Sequence, residues 1–269
     1  MDIVNLRHAS GATAQIHLHG AHVSSWRVAD GTERLFLSDR AEFKPGAAIR
    51  GGVPIIFPQF ASLGSLPKHG FARTMTWQFD AASSSTDTAV FSLSPTPGTI
   101  SIWPYRFSAR YRVVLSSNQL NLELTVKNDD DKEFSFTSAL HTYLRVSDIA
   151  DVSIHGLQGC RYRDSANGNV EGFEIADEVR FSGEVDRVYM STPASVVIRN
   201  GLQVIECASQ GFADTVVWNP GSVLSIKLAD MDDDGYQHMV CVEAAAIATP
   251  VKLFPNEQWQ GSQRLAVKK

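Results

Sequence analysis

Residues 120–127, LNLELTVK, alternate without exception: Leu120, Leu122, Leu124 and Val126 fall on one face, Asn121, Glu123, Thr125 and Lys127 on the other. A period of two describes a strand with one buried side and one wet side. Related runs recur at Gln15 to Trp26, Thr76 to Phe79, Ala89 to Ser94, Phe107 to Leu115, Phe134 to Val146, Val196 to Arg199, Thr215 to Asn219, Val223 to Leu228 and Met239 to Ile247. Turn-forming clusters separate them, among them Ser94-Pro95-Thr96-Pro97-Gly98, Asn128-Asp129-Asp130-Asp131 and Asp232-Asp233-Asp234-Gly235. That spacing belongs to an antiparallel sheet. No stretch of about a dozen residues keeps a helical period, which disfavours alternating βαβ units. With no internal repeat and no Pro/Gly/Ser-rich linker, the chain reads as all-β: one large sandwich-like domain over residues 1–269.

A chain of 269 residues can bury a large core without disulfides or a structural metal. Cys160, Cys207 and Cys241 are odd in number, far apart and without a CxxC pair. They fit buried thiols in a reducing cytosol. The 24 Lys and Arg are scattered against 29 Asp and Glu, a net charge of −5, so no nucleic-acid partner is expected. The opening residues lack a continuous apolar run, and nothing approaches the ~18 apolar residues of a membrane span. A soluble, cytoplasmic chain without a membrane partner is expected. Serine-hydrolase elbows, dinucleotide fingerprints and phosphate loops are also missing from the sequence.

Several clusters carry candidate chemistry. The segment Asp230 to Gly235 opens like a calcium loop, but its twelfth position is Cys241 where a bidentate Glu is needed. His17, His19 and His22 lack an evident carboxylate partner and read as an ordinary edge strand. In Arg50-Gly51-Gly52-Val53-Pro54, two glycines let backbone approach a ligand while a guanidinium is held nearby. The loop Leu66 to Arg73 adds Lys68, His69 and Arg73, so that Arg50, Lys68 and Arg73 together suit a single phosphate, with three solvated charges the competing reading. His141 shares its strand face with Ser, Thr and Ala, which leaves room above the sheet. Glu243 stands between Met239-Val240-Cys241-Val242 and Ala244-Ala245-Ala246, where desolvation raises a carboxyl toward the range of a general base. Glu206, in Val204-Ile205-Glu206-Cys207, is an equal rival by the same physics.

At these residues the chain resembles the hexose-6-phosphate mutarotase branch of the aldose 1-epimerase family. The matching segments are residues 50–58, 66–73, Leu140 to Leu144, Asp186-Arg187-Val188-Tyr189, Val216 to Pro220 and Val240 to Glu243, in family order. The resemblance implies a large antiparallel β-supersandwich (galactose mutarotase-like) with the sugar bound over one sheet. It implies Glu243 as general base and His141 as general acid, which decides against Glu206. It places Asp186 and His69 on sugar hydroxyls, and Arg50, Lys68 and Arg73 on the phosphate. The activity so implied is exchange of the α and β anomers of a hexose 6-phosphate, glucose 6-phosphate first. The expected partner is a small-molecule sugar phosphate, bound by a monomer with no cofactor and no metal. A free-aldose 1-epimerase and a non-catalytic carbohydrate-binding module stay open beside this reading.

Overall fold

A computed structural model describes residues 2–268. Nine strands form one antiparallel sheet, in the order Glu178–Val179, Val152–His155, Ser195–Asn200, Gln203–Gln210, Gln258–Lys268, Gln119–Asn128, Phe107–Leu115, Thr88–Leu93 and Gln78–Phe79. The facing sheet runs Val170–Phe173, Arg161–Asp164, Val185–Met190, Asp214–Asn219, Met239–Leu253, Phe134–Leu140 and Ile55–Ile56, with Tyr143–Arg145 also paired to Met239–Leu253. A three-stranded sheet of Ile3–Arg7, Thr13–His17 and His22–Arg27 precedes them. The expected all-β class is the one observed.

One core takes side chains from all three sheets: Leu120, Leu122, Leu124 and Val126 from the first, Leu140, Val217, Val242 and Ala244 from the second, Ile16 and Trp26 from the third. The second sheet is not wet on its outer face. Met239 and Cys241 join Phe36, Tyr143 and Met231 in one small apolar cluster, and Ala245 and Ile247 join Ile56, Phe60, Ala139, Val188 and Val216 in another. Along Met239–Leu253 the alternation therefore sends Val240, Val242, Ala244 and Ala246 into the main core. It leaves Glu243 outward, between the two small clusters.

Three expectations change. The run Phe134 to Val146 is broken, because the chain turns at Thr142, whose amide donates to Leu140 O at 2.9 Å. A polar tether through the core holds that break: Thr142 Oγ1 donates to Gln263 Oε1 at 2.5 Å, and Gln263 Nε2 donates to Val242 O at 3.0 Å. The run Gln15 to Trp26 is two strands with a turn at His19 and Gly20. Val223 to Leu228, expected as a strand, instead begins inside the short helix Gly221–Ser225 and runs past its end. Asn219 ends the preceding strand by accepting from the Gly221 amide at 2.8 Å and donating to Met239 O at 2.9 Å. Gly221 then turns the chain with φ +60°.

Gly51 and Gly52 thread the Arg50 segment between neighbouring backbones. Gly52 N donates to Phe36 O at 2.7 Å, Val53 N to Val23 O at 2.9 Å, and Tyr143 N to Gly52 O at 2.9 Å. Gly52 has φ +59°, and a Cβ there would strike Val23 O and lie 2.5 Å from His22 Nε2. Gly52→Ala is therefore expected to cost at least about 2 kcal/mol, from left-handed backbone and overpacking together. Urea unfolding measures this, and an unchanged midpoint would contradict the threading.

Candidate active site

Antiparallel register sets the site. Glu243 lies opposite Val216, Val216 opposite Val188, and Val188 opposite Arg163. One step along, Cys241 lies opposite both Tyr143 and Trp218, and Trp218 opposite Asp186. Because residues two apart share a face, Arg163, Asp186, Trp218, Glu243 and Tyr143 all point outward from this sheet. His141, two residues before Tyr143, joins them, with its amide donating to Pro54 O at 3.0 Å.

His141 and Glu243 meet: Nε2 is 3.3 Å from Oε1. The imidazole is 8% exposed and the carboxyl 1%. Glu243 Oε2 and His141 Nδ1 are buried without a hydrogen-bond partner. Burial pushes Glu243 well above the usual carboxylate range, with Asp186 adding and Arg73 opposing. Burial pushes His141 well below 6.5, and His69, Arg73 and Arg50 add to that. A carboxylic acid beside a neutral imidazole carries the same net charge as a carboxylate beside an imidazolium. The pair thus holds one proton in either form, and burial disfavours the charged one. Tyr143 stacks on His141 at 4.8 Å, and Trp218 meets both rings edge-on.

The pair opens into a cavity of about 390 Å³, a size suited to a small ligand. Its lining includes Arg50, Lys68, His69, Arg163, Asp186 and Trp218. Arg50 is already engaged: its Nε and Nη2 donate to Asp230 Oδ1 at 3.2 and 3.1 Å, and its Nη1 to the Tyr143 hydroxyl at 3.0 Å. His69 has φ +67° and burial holds its imidazole down to about 3, with Arg73, Lys68 and Arg50 adding. Its Nδ1 accepts from Ala61 N at 3.3 Å, so the neutral ring carries its proton on Nε2 as a donor. Burial lifts Asp186 to about 6, with Glu184 and Asp164 adding while Lys68 and Arg163 oppose.

Arg73 differs from expectation in place. Its Nη2 donates to Lys68 O at 3.0 Å behind the loop, and it is not part of the cavity lining, though its charge reaches both Glu243 and His141. Glu206 lies on the other sheet, bound to Lys268 at 2.6 Å and Arg264 at 3.1 Å, and those cations hold it below its ordinary value. Three of the four aspartates of the turn 230–234 meet arginines: Asp230 meets Arg50, while Asp232 and Asp233 meet Arg40 at 3.4 and 2.9 Å. His17 and His19 bond Ser24 Oγ at 3.0 Å and Ala47 O at 2.6 Å.

The sequence reading missed Arg163, Ser165 and Asn169, which line the cavity from the hairpin Arg161–Asp164 and Val170–Phe173. That hairpin shows no apolar alternation, because Asp164 and Tyr162 turn inward to a polar network. There Arg187 pairs with Asp164 and Glu174 at 3.1 Å each and lies 4.5 Å over the Tyr162 ring. Only the pairing of Arg163 with Val188 reveals that it shares the row of Glu243. A larger groove, about 470 Å³, covers the N-terminal sheet. Its Glu33 carboxylate is consumed by Ser25 Oγ and by the amides of Trp26, Arg34 and Leu35.

Comparison with known proteins gives the family of the chain. The model of the aldose 1-epimerase family matches residues 2–266. A Cenchrus ciliaris protein named "Putative glucose-6-phosphate 1-epimerase" is 38% identical over 276 residues, covering 97% of this chain and 83% of its own. An Escherichia coli K12 protein of the same name is 35% identical, covering 100% and 91%. The crystal structure of a Salmonella typhimurium protein described as a putative mutarotase superposes with TM-score 0.88 at 35% identity, covering 96% of this chain and 88% of that one. At 15% identity, a galactose mutarotase related enzyme from Lactobacillus acidophilus still shares the fold, with TM-score 0.80. The chain belongs to the aldose 1-epimerase family.

Proposed function

We propose that this protein exchanges the α and β anomers of hexose 6-phosphates, glucose 6-phosphate first, through Glu243 and His141. The observation that carries the reading is the 3.3 Å contact between a desolvated carboxyl and an imidazole at the floor of an open cleft. Glu243 as carboxylate takes the proton of the anomeric O1 while His141 gives its proton to ring oxygen O5. The C1–O5 bond breaks, C1=O1 becomes an aldehyde, and rotation about C1–C2 exposes its other face. Reclosure reverses both transfers, so the pair ends as it began.

The ring's own connectivity orients the sugar. With O1 at Glu243 and O5 at His141, C5 and its C6 arm lie on the His141 side, toward Arg50. C2 to C4 then extend the opposite way, over Val216 toward Asp186 and Arg163. A phosphate dianion at Arg50 offsets the charge of Arg50 and of Arg73 outside the lining, the two cations that depress His141, so substrate binding itself favours the imidazolium. His69 Nε2–H and the Arg163 guanidinium serve as donors to hydroxyls. Arg163 has no carboxylate within 4.0 Å among the described residues, and its buried Nε has no partner. A half-buried guanidinium with a buried, unpartnered Nε gains from an acceptor on the ligand.

Glu243→Gln and His141→Asn should each lower kcat by about 10²–10⁴-fold while sugar phosphate still binds. Coupled anomer-exchange assays read this, and full activity in either variant would end the proposal. Arg50→Ala should raise KM for glucose 6-phosphate about 10–150-fold, with a small effect on free glucose, and Arg73→Ala, outside the lining, should raise it less. Arg163→Ala should weaken both sugars alike; equal losses from all three variants would contradict the orientation.

The pH profile follows from the pair. Activity needs one shared proton, so the acid limb marks entry of a second proton, onto an imidazole that burial makes a weak base. That limb should lie below 6.5, and protonation of Asp186 at about 6 falls on the same side. Loss of the shared proton sets the alkaline limb, which the raised Glu243 moves upward. Measured in chelating buffer, kcat/KM should be flat from 6.5 through neutrality; an acid limb above 6.5 would contradict the assignment.

A further inference from the structure

One side chain at the cleft floor has no part in anomer exchange. Cys241 is wholly buried, lies outside the cavity lining and shares its face with Glu243, two residues on. One nitrogen of His141, the Cys241 sulfur and one carboxylate oxygen of Glu243 all lie within 4.8 Å of one another. Among the described residues no other group of three or more His, Cys, Asp or Glu converges in this way. The far atoms of the same two side chains, His141 Nδ1 and Glu243 Oε2, are buried and make no hydrogen bond, so apart from the Nε2–Oε1 contact neither side-chain end is held by a hydrogen bond.

A tetrahedral zinc ion takes sulfur at ~2.3 Å and nitrogen or carboxylate oxygen at ~2.0–2.2 Å, which puts its donors about 3.5 Å apart. His141 and Glu243, at 3.3 Å, already stand at that spacing. The thiol has at most about 1.3 Å to close from 4.8 Å, within the reach of a modest χ1 adjustment. Three protein donors of nitrogen, sulfur and oxygen type, with a fourth side open to a cavity, match the way proteins hold zinc with one exchangeable position. Hard cations such as Mg²⁺ prefer all-oxygen sites and reject this set. The charges facing the position are mixed: Asp186 favours a cation, Arg73 opposes it, and Arg50 is paired with Asp230.

We propose that His141, Cys241 and Glu243 form an inhibitory site for a borderline-soft divalent cation, Zn²⁺ above all. Binding displaces the thiol proton of Cys241 and the proton shared by the pair to solvent, and sulfur, nitrogen and oxygen each donate a lone pair to the metal. The ion then occupies the Glu243 lone pair that would accept the O1 proton and the His141 nitrogen that would deliver a proton to O5. Anomer exchange stops without any change in the fold.

The test uses metal-free protein titrated with Zn²⁺, and separately with Co²⁺ as a spectroscopic probe. Micromolar Zn²⁺ should inhibit reversibly, chelator should restore activity, and Mg²⁺ should do nothing. Cobalt should develop a near-ultraviolet thiolate charge-transfer band, a readout independent of activity and so of the proposed reaction. Cys241→Ser should retain anomer exchange within about threefold, lose the cobalt band and need at least tenfold more Zn²⁺ for half inhibition. Cys241→Ala, checked by near-ultraviolet circular dichroism, serves the same purpose if the serine variant fails to fold. Absence of the cobalt band in the unmodified protein, or zinc inhibition that Cys241 replacement leaves unmoved, would overturn the site.

Discussion

Removal of water from Glu243 is the constraint on which the rest of the structure turns. A carboxyl at 1% exposure, flanked by Cys241 on one side and Ala245 on the other, has no solvent to stabilise its charge. Its nearest titratable partner is the His141 imidazole. Burial favours the neutral form of the pair, a carboxylic acid beside an imidazole, and an anionic ligand that offsets the neighbouring cations moves it toward the carboxylate and imidazolium of equal net charge. Strand alternation produces this state without a special device. The same period that drives Val242 and Ala244 into the main core leaves Glu243 facing out between two small apolar clusters.

Fixing the imidazole takes more work. The turn at Thr142 breaks the strand that carries His141, and the Gln263 amide, reaching across the core from the other sheet, holds that turn. Pro54 O on the neighbouring segment holds the His141 amide, and Gly51 and Gly52 are what allow that segment to pass so close. Arg50 arrives on the same segment and is immobilised by Asp230 and Tyr143. Acid and base are thus positioned by backbone geometry, and the cation by polar contacts that are in place before any ligand enters. Preorganisation of this kind spares the ligand the entropy of ordering them.

Much of this was legible from the residues. The unbroken alternation at 120–127 appears as a strand buried on every second residue, and Glu243 among apolar neighbours is desolvated as its surroundings imply. The Glu206 ambiguity was real at that level, because both carboxyls sit in apolar runs. Only the cations of another strand, Arg264 and Lys268, separate them. Arg163 was illegible for a related reason: its hairpin is stabilised by a buried ionic network in place of an apolar stripe. Val223 to Leu228 misled because its apolar residues Val223 and Ile226 are exposed at 67% and 62%, while Leu224 and Leu228 line the cleft. What could not be read was pairing across the sheet, and pairing is what gathers the site.

The measurement that bears most directly on this account is a crystal structure of the protein with glucose 6-phosphate in the cleft. The account predicts O1 within about 2.6–3.2 Å of a Glu243 oxygen and O5 within the same distance of a His141 nitrogen. It also predicts the phosphate on the Arg50 side and C3 and C4 toward Asp186 and Arg163. A sugar turned end for end, with phosphate at Arg163 and its anomeric carbon away from Glu243, would contradict it.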